Sequence, residues 1–445
     1  MKFISFAVLF LISTSITVAQ TKPVLIENVR LLDYKTAALT EPMNVLVSDQ
    51  IIQKISSSPI AVKDIDVLKI NGNGKTLMPG LIDVHVHMVF GALTMAQMMA
   101  PDVSEEDLIK SVGLSSQQML MRGFTSVRDA GGPIFPLKAA IDNGKIAGPR
   151  IWPSGATISQ TAGHGDFRTP DERSRRFFGK PSRAEQLGAT FIADGRDEVL
   201  TAVRENLRFG ASQIKLMAGG GTSSAYDPID VTQYTLDEMK AAVEAAEDWG
   251  TYVMVHAYTP RAVQRAVEAG VKSIEHGQML DEETLRLLAE KNVWLSLQNL
   301  MDNNDNMDEQ RKEKRKPVLD GQDKVWPLAK KLGVKLAWGT DFLFEPELNK
   351  DQNSYIIRLQ KWFSNAEILK MITQDNGELL QLSGLRSPYP GKIGVIEEQA
   401  YADLLLVDGD PLKDLSLITN PEKNFLLIMK NGQIYKNTIT TPSGE

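Results

Sequence analysis

Short apolar runs broken by polar and glycine turns occupy both ends of the chain, and strands alternate with helices in between. Over residues 22–75 the runs VLIENVRLLD, NVLVSDQIIQKI and IDVLKING read as strands, with no helical periodicity between them. Residues 392–436 repeat that texture in GKIGVIE, ADLLLVDGDPL and FLLIMKNGQIY. Either end alone is too short to bury much of a core. The two are therefore expected to combine, residues 20–78 with 386–445, into one small β-sandwich domain.

Residues 79–385 change period. Eight β-rich runs follow in order: LMPGLIDVHVHM, FTSVRDAGG, PRIWPSGA, SQIKLMA, TYVMVHAY, KSIEHG, VWLSLQNL and VKLAWGTDF. Helices are predicted over residues 104–121 and 197–209. Thr235 with Glu238, and Ser364 with Glu367, have the spacing of a capping box. Thr259-Pro260 opens another helix, with proline in its first turn. Residues 157–195 show little periodicity and read as a long connection. Eight strands, each followed by a helix or a loop, predict an α/β fold: a (β/α)8 TIM-type barrel carrying the small β-sandwich built from both termini. An open doubly wound sheet would want a GxGxxG turn after an early strand, and none is present.

Composition narrows the setting. The chain has 445 residues, a net charge of −7 and 42% hydrophobic residues, ordinary for a globular protein and without the basic footprint of a nucleic-acid binder. Residues 1–19 have the build of a secretory signal: Lys2, an apolar run over residues 3–12, and the small-residue ending Thr17-Val18-Ala19. That run is shorter than the roughly 20 residues of a membrane span. The expectation is export to a periplasm or the medium, with no stable membrane anchor after cleavage. There is no cysteine, which excludes disulfides, thiolate metal sites and a cysteine nucleophile.

The candidate chemistry lies at strand ends. His85 and His87 are two apart on the first strand, so both imidazoles project from one face. With 5 histidines in the chain, chance supplies only about 0.06 such pairs. Lys215 lies in the fourth strand, while His256, His276 and Asp341 end the fifth, sixth and eighth. The carboxyl ends of barrel strands share one mouth, so these residues can converge. Neutral imidazole and carboxylate are good ligands for zinc and similar ions. His85, His87 and Asp341 can hold one ion and His256 with His276 another. Lys215 as encoded is a cation, and by itself reads as a salt-bridged or substrate-binding lysine.

The HVH pair, the strand-four lysine, the single histidines on strands five and six, and GTD on the eighth resemble the amidohydrolase superfamily. MPGLIDVHVH and ADLLLVDGDPL are similar to that superfamily's junctions between barrel and β-domain. IKLMAGGGTSSAYDPID, WGTYVMVHAYTPRAV and SIEHGQML resemble the branch with prolidase-like carboxypeptidases and ochratoxin-hydrolysing amidases. The resemblance implies two divalent metals, usually zinc, bridged by a carbamylated Lys215. It also implies a homo-oligomer that hydrolyses an amide next to a free carboxylate, in a dipeptide, an N-acyl amino acid or an ochratoxin-like amide. Water held between two such ions titrates near pH 7 instead of about 15.7. Asp341 can take its proton during attack and pass it to the leaving amine.

Other residues carry two readings. His164, in TAGHGDF, is a structural histidine or, given its place near the mouth and the resemblance, an oxyanion donor. Tyr258, two residues beyond His256, is a packed aromatic or a donor to the substrate. Gly219, Gly220 and Gly221 suit close backbone approach. Arg128 and Asp129 form an ion pair or contact substrate. The charged segment 302–316 reads as solvated loop and helix, with a lid as the alternative. A mononuclear deaminase would want Glu three residues after His256, where Thr259 stands, and Glu275 is expected to face away from the site. A cyclic amide or lactone hydrolase, or a non-catalytic periplasmic binding protein, are the remaining alternatives.

Overall fold

The computed structural model describes residues 22–62, 66–100, 104–303 and 307–439; the signal-like segment 1–19 lies outside them. Eight parallel staves form the barrel: β1 (Leu81–Val86), β2 (Phe124–Asp129), β3 (Arg150–Pro153), β4 (Ile214–Met217), β5 (Val253–Ala257), β6 (Ser273–His276), β7 (Trp294–Leu297) and β8 (Lys335–Trp338). β1 pairs with β2 and β2 with β3. After a break at residues 154–156 the third stave resumes as Thr157–Ser159, which pairs with β4. The ladder then runs in sequence from β4 to β8. Every residue of β1, β2 and β4 to β7 is buried, because helices cover the outside and side chains fill the inside.

The ring closes where β8 returns to β1. The Asp341 amide donates to the His85 carbonyl at 2.8 Å, and Thr340 bonds Asp83 through its amide and hydroxyl. Approach there is so close that a Cβ on Gly339 would lie 2.4 Å from the His85 nitrogen. Only glycine fits.

Both capping boxes form, at Thr235–Glu238 and Ser364–Glu367, and Pro260 begins the helix Pro260–Ala269. The connection 157–195 is more structured than expected. It holds Thr157–Ser159, a parallel partner strand Thr190–Ile192, and the short helices Arg175–Phe178 and Arg183–Gln186. Three-residue strands are too short to leave a period in the sequence. The charged segment also differs from a purely solvated one. Within the helix Glu309–Lys331, Arg315 is buried and bonds the Met301 carbonyl and Asn303. Lys314 donates to the carbonyls of Ser224 and Asp227, on the loop after β4.

The termini build one mixed sheet of nine strands. The long strand Val24–Asp33 pairs with Met43–Ser48 and Leu68–Asn71 along its first half, and with Thr76–Pro79 beyond Arg30. Thr76–Pro79 pairs in turn with Leu404–Val407 from the far end of the chain. One apolar cluster draws Val24, Ile26 and Val45 together with Leu404, Leu427 and Met429. Among the described residues, no helix is long and apolar enough to cross a membrane.

Inside the barrel, one guanidinium ties four staves. Arg128, on β2, donates to the Val84 carbonyl, the Tyr252 and Ser273 hydroxyls and both oxygens of Glu275, the last at 2.7 and 2.8 Å. Asp129 takes no part. It accepts instead from the Met88 and Gly131 amides, and burial raises its carboxyl to about 8. Burial would raise Glu275 as well, but Arg128 and then His85 hold it well below the usual carboxylate range. Removing one partner of such a pair strands the other charge. Arg128→Met should therefore lower stability by about 3–5 kcal/mol in urea unfolding; a loss below about 1 kcal/mol would show that the pair does not hold the barrel together.

Candidate metal centre

The imidazoles of His85, in β1, and His87, just beyond its end, do face the same way. His85 Nε2 and His87 Nε2 each lie 3.3 Å from Asp341 Oδ1. His276 Nε2 lies 3.9 Å from Asp341 Oδ2, and His85, His276 and Asp341 offer ligand atoms all within 4.8 Å of one another. Lys215 Nζ is 3.3 Å from His85 Nε2. The His256 ring lies 4.3 Å from that of His276, centroid to centroid. All six expected ligand residues thus converge, and they line one cavity of about 230 Å³ at the mouth of the barrel.

Backing hydrogen bonds fix which nitrogen is free on three of the four rings. His85 Nδ1 lies 2.8 Å from the Glu275 carboxylate, and His87 Nδ1 lies 2.9 Å from the Gly131 carbonyl. Oxygens of that kind only accept, so each Nδ1 carries the proton and each Nε2 a lone pair. His256 is reversed: its Nε2 donates to the Gly220 carbonyl at 3.1 Å, which leaves Nδ1 free. Burial lowers the pKa values of His87, His256 and His276, keeping the rings neutral.

The result is a set of lone pairs facing an ionised carboxylate with no proton to share. A divalent cation resolves that repulsion, and deprotonated donors are what such an ion requires. Lys215 fits the cluster poorly as an ammonium. It is 1% exposed, and its one hydrogen-bond contact among the described residues is an imidazole nitrogen, although an ammonium has three protons to place. Burial lowers it to about 8, which leaves part of the population as the neutral amine near neutral pH. A carbamylated side chain there would replace an unwanted cation by a ligand.

Glu275 corrects the sequence reading. It was expected to face away from His276, yet both point inward. Strand alternation stops at His276, whose φ is +79°, so its ring turns back toward the mouth while Glu275 stays beneath His85. Asp341 is likewise left-handed, at φ +58°. Backbone strain of this kind costs about 1–3 kcal/mol per residue and gathers at functional sites.

His164 stacks on His256 with ring centroids 3.9 Å apart, and its Nδ1 lies 2.9 Å from the Ser224 hydroxyl and 3.7 Å from Asp227. A Cβ on Gly221 would fall 1.9 Å from the His164 ring, so the glycine run does serve close approach. Tyr258 packs against two of the candidate ligand histidines, its ring 5.0 Å from His256 and 5.1 Å from His276. Glu275 and Arg128, which orient His85, had no signal in the sequence beyond being charged residues inside barrel strands.

Comparison with known proteins agrees with this geometry. The amidohydrolase family profile matches residues 76–435. Ochratoxinase from Aspergillus niger is 30% identical over 416 residues, spanning 90% of this chain and 84% of that protein. The crystal structure of an amidohydrolase is 35% identical with a TM-score of 0.83, covering 94% of this chain and 100% of its own. A prolidase complexed with N-methylphosphonate-L-proline is 32% identical with a TM-score of 0.84 and the same coverage. A profile match across most of the chain, on a barrel whose mouth gathers histidines and aspartate around a place for a cation, makes this protein a member of the amidohydrolase family.

Proposed function

We propose that the protein is a binuclear metal-dependent amidase that cleaves an amide bond next to a free carboxylate, in a dipeptide or an N-acyl amino acid. The observation that carries this reading is the convergence of His85, His87, Lys215, His256, His276 and Asp341 on one cavity. Likeness to an ochratoxinase and to a prolidase complexed with N-methylphosphonate-L-proline supports the substrate class. His85, His87 and Asp341 would hold one ion, His256 and His276 the other, and carbamylated Lys215 both. Zinc suits this imidazole and carboxylate set. When bound, the pair supplies an activated water and a Lewis acid for the scissile carbonyl.

The chain's own groups do the rest. Asp341 is the one ligand whose side chain keeps appreciable exposure, 18%, so it can reach both water and leaving group from the cavity wall. Its carboxylate accepts the proton of the attacking water and returns it to the departing amine. His164, whose Nδ1 lies 2.9 Å from the Ser224 hydroxyl, would present Nε2–H to the carbonyl oxygen as it becomes an oxyanion when that nitrogen carries the proton. Glu275 and Arg128 keep the proton of His85 on Nδ1 throughout. Export through the segment 1–19 and assembly into a homo-oligomer belong to the same proposal.

Asp341→Asn should lower kcat by about 10²–10⁴-fold while metal content largely survives; full activity in that variant would remove Asp341 from proton transfer. Lys215→Ala should drop bound metal below two ions per chain by elemental analysis and cut kcat/KM by at least about 100-fold. Two retained ions would show that the lysine bridges nothing. The proposed activity itself is tested by assaying zinc-loaded protein on a panel of N-acyl amino acids, dipeptides, lactones and ureas. Hydrolysis confined to amides with a neighbouring carboxylate is expected, and a preference for lactones or ureas would overturn it.

A further inference from the structure

The metal centre leaves the charged run 302–316 unexplained. Much of that run begins the helix Glu309–Lys331, which follows β7. Arg311, Lys314 and Arg315 stand at i, i+3 and i+4, so they share one face of the helix. Elsewhere on the same helix the cations pair with nearby acids, Lys312 with Glu309 and Lys316 with Asp320. The shared face reaches further. Arg315 donates to the Met301 carbonyl and, at 2.8 Å, to Asn303, both on the loop after β7. Arg311 meets Glu345 at 3.2 Å, on the loop after β8. Lys314 donates to the carbonyls of Ser224 and Asp227, at 2.8 and 2.7 Å, on the loop after β4. One helical face thus ties three loops of the barrel mouth.

β4 and β7 are three staves apart, so the Lys314 bonds cross the mouth instead of joining neighbours. The loops they draw together line the cavity. Ser223 to Tyr226 come from the loop after β4, and Leu343 and Phe344 from the loop after β8. Phe344 packs 5.4 Å from Phe90, centroid to centroid, as an apolar wall. The two residues whose carbonyls Lys314 holds are also the two that meet His164. Ser224 Oγ lies 2.9 Å from His164 Nδ1, and Asp227 Oδ2 lies 3.7 Å from it. Asp227 is buried, and its Oδ2 accepts from the Gly221 amide at 2.7 Å, closing the loop on itself. A glycine-rich loop has many conformations to lose. An ammonium that grips two of its carbonyls selects one of them, and bonds from a charged donor are about twice as strong as neutral ones.

We infer that Lys314 is a positioning residue: from a helix across the mouth it fixes the loop 219–228, which sets the ring of His164. The strap is a matter of structure, and its service to the reaction rests on the amidase reading above. Zinc-loaded Lys314→Met is compared with wild type by hydrogen–deuterium exchange, elemental analysis and kinetics on N-acyl amino acids and dipeptides. The amides of Gly220, Gly221 and Val231, bonded within the loop, should exchange about tenfold faster or more in the variant. Bound metal should stay at its wild-type level, while kcat falls about 10–100-fold with a smaller change in KM. Lys314→Arg should restore part of both effects, and Lys316→Met, at an exposed position of the same helix, should change neither. The unfolding midpoint of each variant separates local release from global loss of structure. Wild-type exchange over residues 219–233 in Lys314→Met would overturn the strap. Faster exchange with unchanged kcat would overturn the positioning role, and loss of metal would assign Lys314 to the metal site instead. If metal-loaded wild type hydrolyses no N-acyl amino acid or dipeptide, the amidase reading falls and the positioning role with it, while the exchange rates still decide the strap.

Discussion

Lone pairs that face one another in a buried place need a positive charge between them, and the mouth of this barrel is organised around that need. His85 and His87 both direct Nε2 at one oxygen of Asp341, and neither can turn its proton inward, because Glu275 and the Gly131 carbonyl hold those protons on the far side. The Arg128–Glu275 pair is the deepest part of the arrangement. It crosses the barrel interior, fixes the tautomer of His85, and is fully buried, so it resists both solvent and salt. Once these donors are set, the mouth of this amidohydrolase offers a place for a cation.

Strand ends make the convergence possible. A regular strand would send His276 away from the site if Glu275 points in, and would carry Asp341 past the cluster. Left-handed backbone at both residues breaks the alternation at the right places. The cost is met by a rigid frame: buried staves on every side, the close seam at Gly339, and Thr340 bound to Asp83. The same device recurs at Phe344, which turns a loop residue into part of the apolar wall.

Much of this was legible in the chain. The spacing of His85 and His87, the placing of His256, His276 and Asp341 at strand ends, and the capping boxes all follow from local rules that the structure obeys. Local rules also explain the misses. The alternation that aligns His85 with His87 predicts the wrong face for Glu275, since no sequence rule announces a positive φ at histidine. Arg128 pairs not with its neighbour Asp129 but with Glu275, 147 residues away. Thr157–Ser159 and Thr190–Ile192 are too short to show a period. Lys314 and Arg315 look solvated in a run of charges, and only tertiary packing turns them inward.

The most direct test of the central claim is a crystal structure of zinc-loaded protein recorded with anomalous scattering at the zinc edge. Two ions about 3.5–4 Å apart should appear, one on His85, His87 and Asp341 and the other on His256 and His276, with Lys215 carbamylated between them. A single ion, or none, with Lys215 left as a free amine would contradict the account.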